Sequence, residues 1–279
     1  MDLEQYRRSS HEIWQQMAAG WDERRDWTWS ASRQVSEWMV EKLDPQPGQT
    51  ILELAAGTGE TGFAAAARLG DEGRLIATDF APQMVEAAER GAQKLGLSNV
   101  EFRVMDAERM DIDDDSVDGV LCRWGYMLMA DPGAALGETR RVLRDGGRLA
   151  LSVWGAPEDN PFATVGREAL GALGHMAAPR PGDPGIFAMG REDRIRELVT
   201  GAGFGHVEVE PIPVEWRFDD IEDYWRFLNE VAGAVAMVIE RLTDSERSAV
   251  RAAIEERAEQ FRANGGYVMP GVALNALAS

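Results

Sequence analysis

Residues 51–62, Ile51-Leu52-Glu53-Leu54-Ala55-Ala56-Gly57-Thr58-Gly59-Glu60-Thr61-Gly62, decide how this chain folds. Apolar residues around one acid read as a short buried strand, the glycines allow a tight turn, and the following FAAAARL has helical composition. The same alternation continues downstream. TILELA, RLIATD, VEFRVMD, VDGVLCRW and GRLALSVW are short apolar runs, with helical patterns through FAAAARL, from Pro82 to Leu95 and over 132–143. This order predicts βαβ units, a parallel sheet and right-handed crossovers, with ligands at the carboxyl ends of the strands. Glu53, Asp79, Asp106 and Arg123 all fall at or just after a strand's end, so one cleft can gather all four.

The G-x-G-x-x-G at 57–62 lets backbone approach a ligand closely, a need shared by dinucleotides and S-adenosylmethionine (SAM). Asp79, 20 positions after Gly59, suits ribose hydroxyls in either case. Glu53 discriminates. A carboxylate at the strand mouth repels a pyrophosphate and attracts the ammonium and sulfonium of SAM, and Glu60 adds to that field. Glu53 can also brace the loop by accepting backbone N–H groups, and the two roles coexist.

Glu53-x-x-x-Gly57-x-Gly59, Asp79, Asp106-Ala107, a hydrophobic strand and RRVLRDGGRLALSVW together resemble the class I SAM-dependent methyltransferases. Within them the chain is similar to the branch containing the C-methyltransferases of ubiquinone and menaquinone synthesis. The motifs cover residues 50–155, and the tail GYVMPGVALNALA is similar less specifically. The resemblance implies a Rossmann-like, doubly wound α/β fold: seven strands, mainly parallel, the last antiparallel, with N-terminal helices and helical cap insertions. It implies methyl transfer from SAM to O, C or N of a small, largely apolar metabolite, leaving S-adenosylhomocysteine. Glu53, Ala55, Gly57, Thr58 and Gly59 would face the methionine part of SAM, and Asp79 the ribose. Phe80 and Met84 would lie near the adenine, Asp106 would bond its amino group with Ala107 alongside, and Arg123 with Trp124 would floor the sulfonium. Ala55 stands where the family often has glycine, which is tolerable at negative φ. A SAM-binding module without methyl transfer stays open; a nicotinamide oxidoreductase is opposed by Glu53.

Around this core, residues 1–48 read as a helical cap segment, 49–155 as the SAM-binding core and 156–190 as a Pro/Gly-rich lid. Residues 191–279 complete the sheet, with a helical insertion at 219–264. Trp21 and Trp27 are candidate covers of the cleft, and Tyr126, Met127 and Met129 candidate walls for an apolar acceptor. His175 in the lid and His11 in the leading helix are candidate general bases. The other acids between Asp111 and Asp118 lack calcium-loop spacing, three dispersed histidines suggest no metal set, and one cysteine, Cys122, allows no disulfide. A net charge of −19 opposes nucleic acid and anionic lipid, and no membrane span or signal peptide is seen, so a cytoplasmic enzyme is expected. The oligomeric state stays open, a homodimer among the options.

Overall fold

The computed structural model describes residues 2–178, 180 and 182–279; Pro179 and Pro181, within the expected lid, lie outside the described residues. Two helices, α1 (Leu3–Glu23) and α2 (Arg25–Leu43), precede the sheet. The core then alternates β1 (Thr50–Glu53), α3 (Glu60–Leu69), β2 (Arg74–Asp79), α4 (Pro82–Leu95), β3 (Val100–Val104), β4 (Val117–Arg123), α5 (Pro132–Val142) and β5 (Leu143–Trp154). Next come α6 (Pro161–Ala172), α7 (Glu192–Gly201), β6 (Val207–Phe218), α8 (Ile221–Glu230), α9 (Ala234–Glu240), α10 (Asp244–Ala258), β7 (Arg262–Ala263) and β8 (Gly266–Ala278).

The strand order is β3-β2-β1-β4-β5-β8-β6, with the two-residue β7 paired to β8 as a hairpin. The strands β3, β2, β1, β4 and β5 are parallel, whereas β8 runs antiparallel to both β5 and β6. The expected α/β sheet is therefore present, with β7 as a short addition. Right-handed crossovers put α3 and α4 on one face and α5 on the other. The central strands β1, β4 and β5 carry Ile51, Leu52, Val120, Leu121, Leu149 and Leu151, each at most 1% exposed, as strands covered on both faces require.

The leading residues form two helices, as the expected N-terminal helical segment allows. Asp2 caps α1 by accepting from the Glu4 and Gln5 amides, and Arg24 is both the last cap of α1 and the first of α2. From that corner α2 runs across β4, β5, β8 and β6, pinned where Asn275 Nδ2 donates to the Val35 carbonyl at 3.1 Å. Register aligns Glu53 with Leu121, Arg123 with Ser152, and Ser152 with Asn275. Because strand side chains alternate, Glu53, Arg123, Ser152 and Asn275 share one face, the face that α2 covers. The late helices α8 and α10 pack with α6 beyond the β5, β6 and β8 end of the sheet. No described helix is long and apolar enough to cross a membrane.

Candidate active site

The turn after β1 is held by strand-end hydrogen bonds. Ala56 N donates to the Thr78 carbonyl at 2.9 Å, and Thr78 Oγ1 donates to the Glu53 carbonyl at 2.8 Å. Asp79 is the central anchor. Its Oδ2 accepts from Gly57 N and its Oδ1 from Ala81 N, both at 3.0 Å, so one carboxylate ties the glycine loop to the start of α4. Burial pushes Asp79 up to about 6, even though those amides favour its charged form. Gly59 has φ 95° and leaves no room for a side chain, since a Cβ would lie 2.4 Å from the Phe63 ring. Ala55 corrects the expectation of negative φ: it sits at φ 49°, a left-handed conformation that costs about 1–2 kcal/mol in an L-residue. The loop keeps its shape because packing and hydrogen bonds override the local preference.

Glu53 is 2% exposed, and its Oε1 accepts from Gly62 N at 2.9 Å while Oε2 has no partner. Burial raises its pKa well above the carboxylate range, and Arg123 opposes that rise. Arg123 has its side chain 9% exposed; this near-burial lowers its pKa, and its Nη1 is unpaired. Its guanidinium lies 4.6 Å from the Trp124 ring centroid and 3.9 Å from Glu60. Trp124 stacks on Trp154 with centroids 4.3 Å apart and holds φ 59°. Non-glycine residues in this strained region concentrate at functional sites. An orphaned carboxylate oxygen and an orphaned guanidinium nitrogen thus lie on one face of the sheet, where buried polar groups ordinarily find a partner in the protein or a ligand.

Glu60 contributes less free charge than the sequence suggested. Its Oε1 accepts from Arg25 Nη1 at 2.6 Å and its Oε2 from Thr58 Oγ1 at 2.7 Å, so its field is largely compensated. Arg25 also donates to the Thr58 carbonyl at 2.5 Å and the Ala87 carbonyl at 2.7 Å, riveting the α1–α2 corner to the loop and to α4. Along α1, Tyr6 donates to the Leu128 carbonyl at 2.9 Å, and Arg7 Nε donates to Glu108 at 3.1 Å. Glu108 receives Ala130 N on its other oxygen. Helix α1 thus spans the carboxyl ends of β2, β3 and β4.

The remaining expected residues divide. His11 reaches the cleft at the β2 end, donating to the Phe80 carbonyl at 3.1 Å, beside Asp79. Met84 is 2% exposed beneath α1, in a cluster with Ala18 and Ala81 against which Phe80, Trp14 and Trp21 pack. Asp106 is exposed, its Oδ1 accepting from Glu108 N, with Ala107 half-buried beside it. Trp27 joins an aromatic cluster with Trp216 and Phe227, its ring 4.9 Å from that of Trp216. Two positions leave the cleft. Tyr126 is fully buried with its hydroxyl bonded to Thr139 of α5 at 2.6 Å, because the turn after β4 drives its ring into the core. His175 lies past the carboxyl end of α6, within electrostatic range of Glu246 on α10. Ten residues of α6 between Phe162 and Ala172 span about 15 Å, which separates it from the aromatic cluster at the helix start. Among the described residues no group of three or more His, Cys, Asp or Glu could hold a metal, and the Cys122 thiol is pushed up to about 12 by burial in β4.

The sequence model of a family described as a methyltransferase domain matches residues 45–170. The demethylmenaquinone methyltransferase of Thermus thermophilus is 32% identical over 163 residues, covering 55% of this chain and 73% of that protein. The chain belongs to the class I SAM-dependent methyltransferases. The arsenite methyltransferase of Halobacterium salinarum is 36% identical over 186 residues, 66% of this chain but 44% of that protein. The chain spans about half the length of most of the curated relatives it matches. A crystal structure of a methyltransferase-like protein from Bacillus halodurans superimposes with a TM-score of 0.61 at 19% identity, covering 87% of this chain and 97% of that one, a likeness of fold. The cofactor of this family is SAM.

The tethers that Arg24, Arg25, Glu108 and Tyr6 supply between the leading helices and the rest of the molecule were not legible in the sequence. Their partners are as far as 206 positions away in sequence, and an arginine on a helix reads as a solvated charge until its partner's position is known.

Proposed function

We propose that the chain transfers the methyl group of SAM to O, C or N of a small, largely apolar metabolite held beside the post-β4 segment. Carrying the reading is the Glu53 and Arg123 pair on one sheet face, each with a buried polar atom left without a partner. A cleft of about 770 Å³ opens at the post-β4 segment; Met127, Met129 and Phe187 give it apolar surface, while Asp131, Arg194 and Glu197 are among the charged residues that make its lining more polar than apolar. Met129 connects cleft and loop: a Cβ on Gly125 would lie 3.7 Å from the Met129 methyl and 2.7 Å from the Ala55 Cβ.

Bound SAM supplies a methyl already activated by its sulfonium, so the protein's task is alignment and exclusion of water. Glu53 would accept the ammonium, Arg123 the carboxylate, and Asp79 the ribose hydroxyls. Asp106, with Phe80 and Ala107, would meet the adenine. Soft methionine walls accommodate apolar acceptors of varied shape. In this reading 49–155 is the cofactor-binding core and 156–190 the lid, whose residues 182–190 border the cleft. His11, at the ribose end, serves the cofactor side rather than acting as a base. The net charge of −19 supports a small-molecule rather than a nucleic-acid acceptor, and the buried single cysteine suits the reducing cytoplasm.

The test uses SAM labelled in its methyl group with a fractionated metabolite extract. The expected result is label in an extractable product heavier than its precursor by one methyl group. S-adenosylhomocysteine binding without label transfer in any fraction would contradict the proposal.

A further inference from the structure

Two consecutive arginines at the α1–α2 corner grip two separate parts of the molecule. Arg24 reaches the cap: its Nε donates to Glu230 at 2.9 Å and its guanidinium to Asp223 at 3.1 Å, with the side chain 11% exposed. The corner is also seated directly on α8, since a Cβ on Gly20 would lie 2.4 Å from the Glu230 carbonyl oxygen. Arg25 reaches the cofactor loop through the Thr58 carbonyl and Glu60. Close packing fixes it as well, because a Cβ on Gly91 of α4 would meet its guanidinium at 2.4 Å. Adjacent Cα atoms sit about 3.8 Å apart across a trans peptide, so neither anchor shifts without disturbing the other.

Helix α8 makes no hydrogen bond to the glycine loop, yet it carries Phe227, which packs on Trp27 and Trp216. Trp216 in turn lies 6.3 Å from Trp124 at the end of β4. The position of α8 therefore shapes the aromatic wall beside the reaction site, and Arg24 with Arg25 is the polar link between that wall and the cofactor loop.

We infer that Arg24 is a positioning residue that couples cofactor binding to the ordering of α8: filling the cofactor site fixes the 55–60 loop, and the Arg25–Arg24 corner passes that order to the cap. By reciprocity, an acceptor held by the ordered cap raises cofactor affinity by the same factor. The inference rests on the proposed cofactor site at 55–60, and its test reads the two separately.

Hydrogen exchange of the whole protein, with and without S-adenosylhomocysteine, reports on residues 55–60 and 221–230 in one experiment. In the unaltered protein both segments should slow, 221–230 by about threefold or more. In Arg24→Met the loop should still slow and S-adenosylhomocysteine affinity should stay within about threefold, while the response of 221–230 disappears. Glu230→Gln, which keeps Arg24 and its bond to Asp223, should retain a reduced response and serves if Arg24→Met fails to fold. Protection of the loop without protection of α8 in the unaltered protein overturns the coupling. An α8 response that persists undiminished in either variant overturns it too. Protection of neither segment overturns the cofactor-site assignment instead.

Discussion

Gly62→Ala is expected to lower the affinity for S-adenosylhomocysteine by at least tenfold and to cost about 1–3 kcal/mol of stability, the usual range for overpacking a filled site. An added Cβ would stand 2.1 Å from Glu53 Oε2 and 2.8 Å from a Leu75 methyl. Leu75 is fully buried and Glu53 nearly so, so neither can swing into solvent. The carboxylate has to leave its position, and with it goes the oxygen assigned to the cofactor's ammonium. Thermal melting should show a decrease of several degrees, about 2–4 °C per kcal/mol for a domain somewhat smaller than this. Gly57→Ala is the contrast. Gly57 has φ 56° with nothing within 4 Å of the point where a Cβ would stand, so the protein itself should lose only about 1–2 kcal/mol from left-handed strain. Unchanged affinity in Gly62→Ala, alongside a lowered melting temperature, would show that Gly62 does not act through Glu53.

Asp79→Ala is expected to weaken S-adenosylhomocysteine binding by roughly 10–100-fold, about 1.5–3 kcal/mol, as hydrogen bonds to a charged group are lost. The same change releases Gly57 N and Ala81 N, so the loop and the start of α4 lose a shared anchor. The pH dependence carries a sign. Asp79 is held at about 6 in the folded chain, against about 4 for an unperturbed aspartate. Between these values the folded state binds a proton that the unfolded chain has released. Its contribution to stability is therefore fully present below about pH 4 and is lost as pH rises through 6. Ligand binding should run the other way, because ribose hydroxyls donate to the ionised carboxylate: affinity should rise from pH 5 to 7. Asp79→Asn should flatten both trends; profiles identical to those of the unaltered protein would remove Asp79 from the cofactor site.

The sheet was legible because parallel strands announce themselves as short apolar runs, and the acid–glycine loop because its chemistry is local. The strand-end positions of Glu53, Asp79 and Arg123 followed from the same alternation. Backbone conformation was less legible. Ala55 and Trp124 occupy left-handed conformations that neither residue favours, and only the surrounding packing imposes them. Tyr126 was misplaced because side-chain direction beyond a strand's end depends on the turn, here a helical turn at Tyr126–Leu128 that aims the ring at Thr139. The place of His175 was not legible because a lid has no fixed distance from its cleft until its helix is oriented. The corner at Arg24 was invisible for another reason: no glycine or proline stands between the two helices, and both arginines reach partners distant in sequence.

Everything assigned to the cofactor depends on Glu53 and Arg123 holding the two charged ends of its methionine part. Calorimetric titration of S-adenosylhomocysteine into the unaltered protein, Glu53→Gln and Arg123→Met measures this without recourse to the acceptor. The expected result is one site per chain, with affinity weakened at least tenfold in each variant. Binding of unchanged strength in both variants would contradict the assignment.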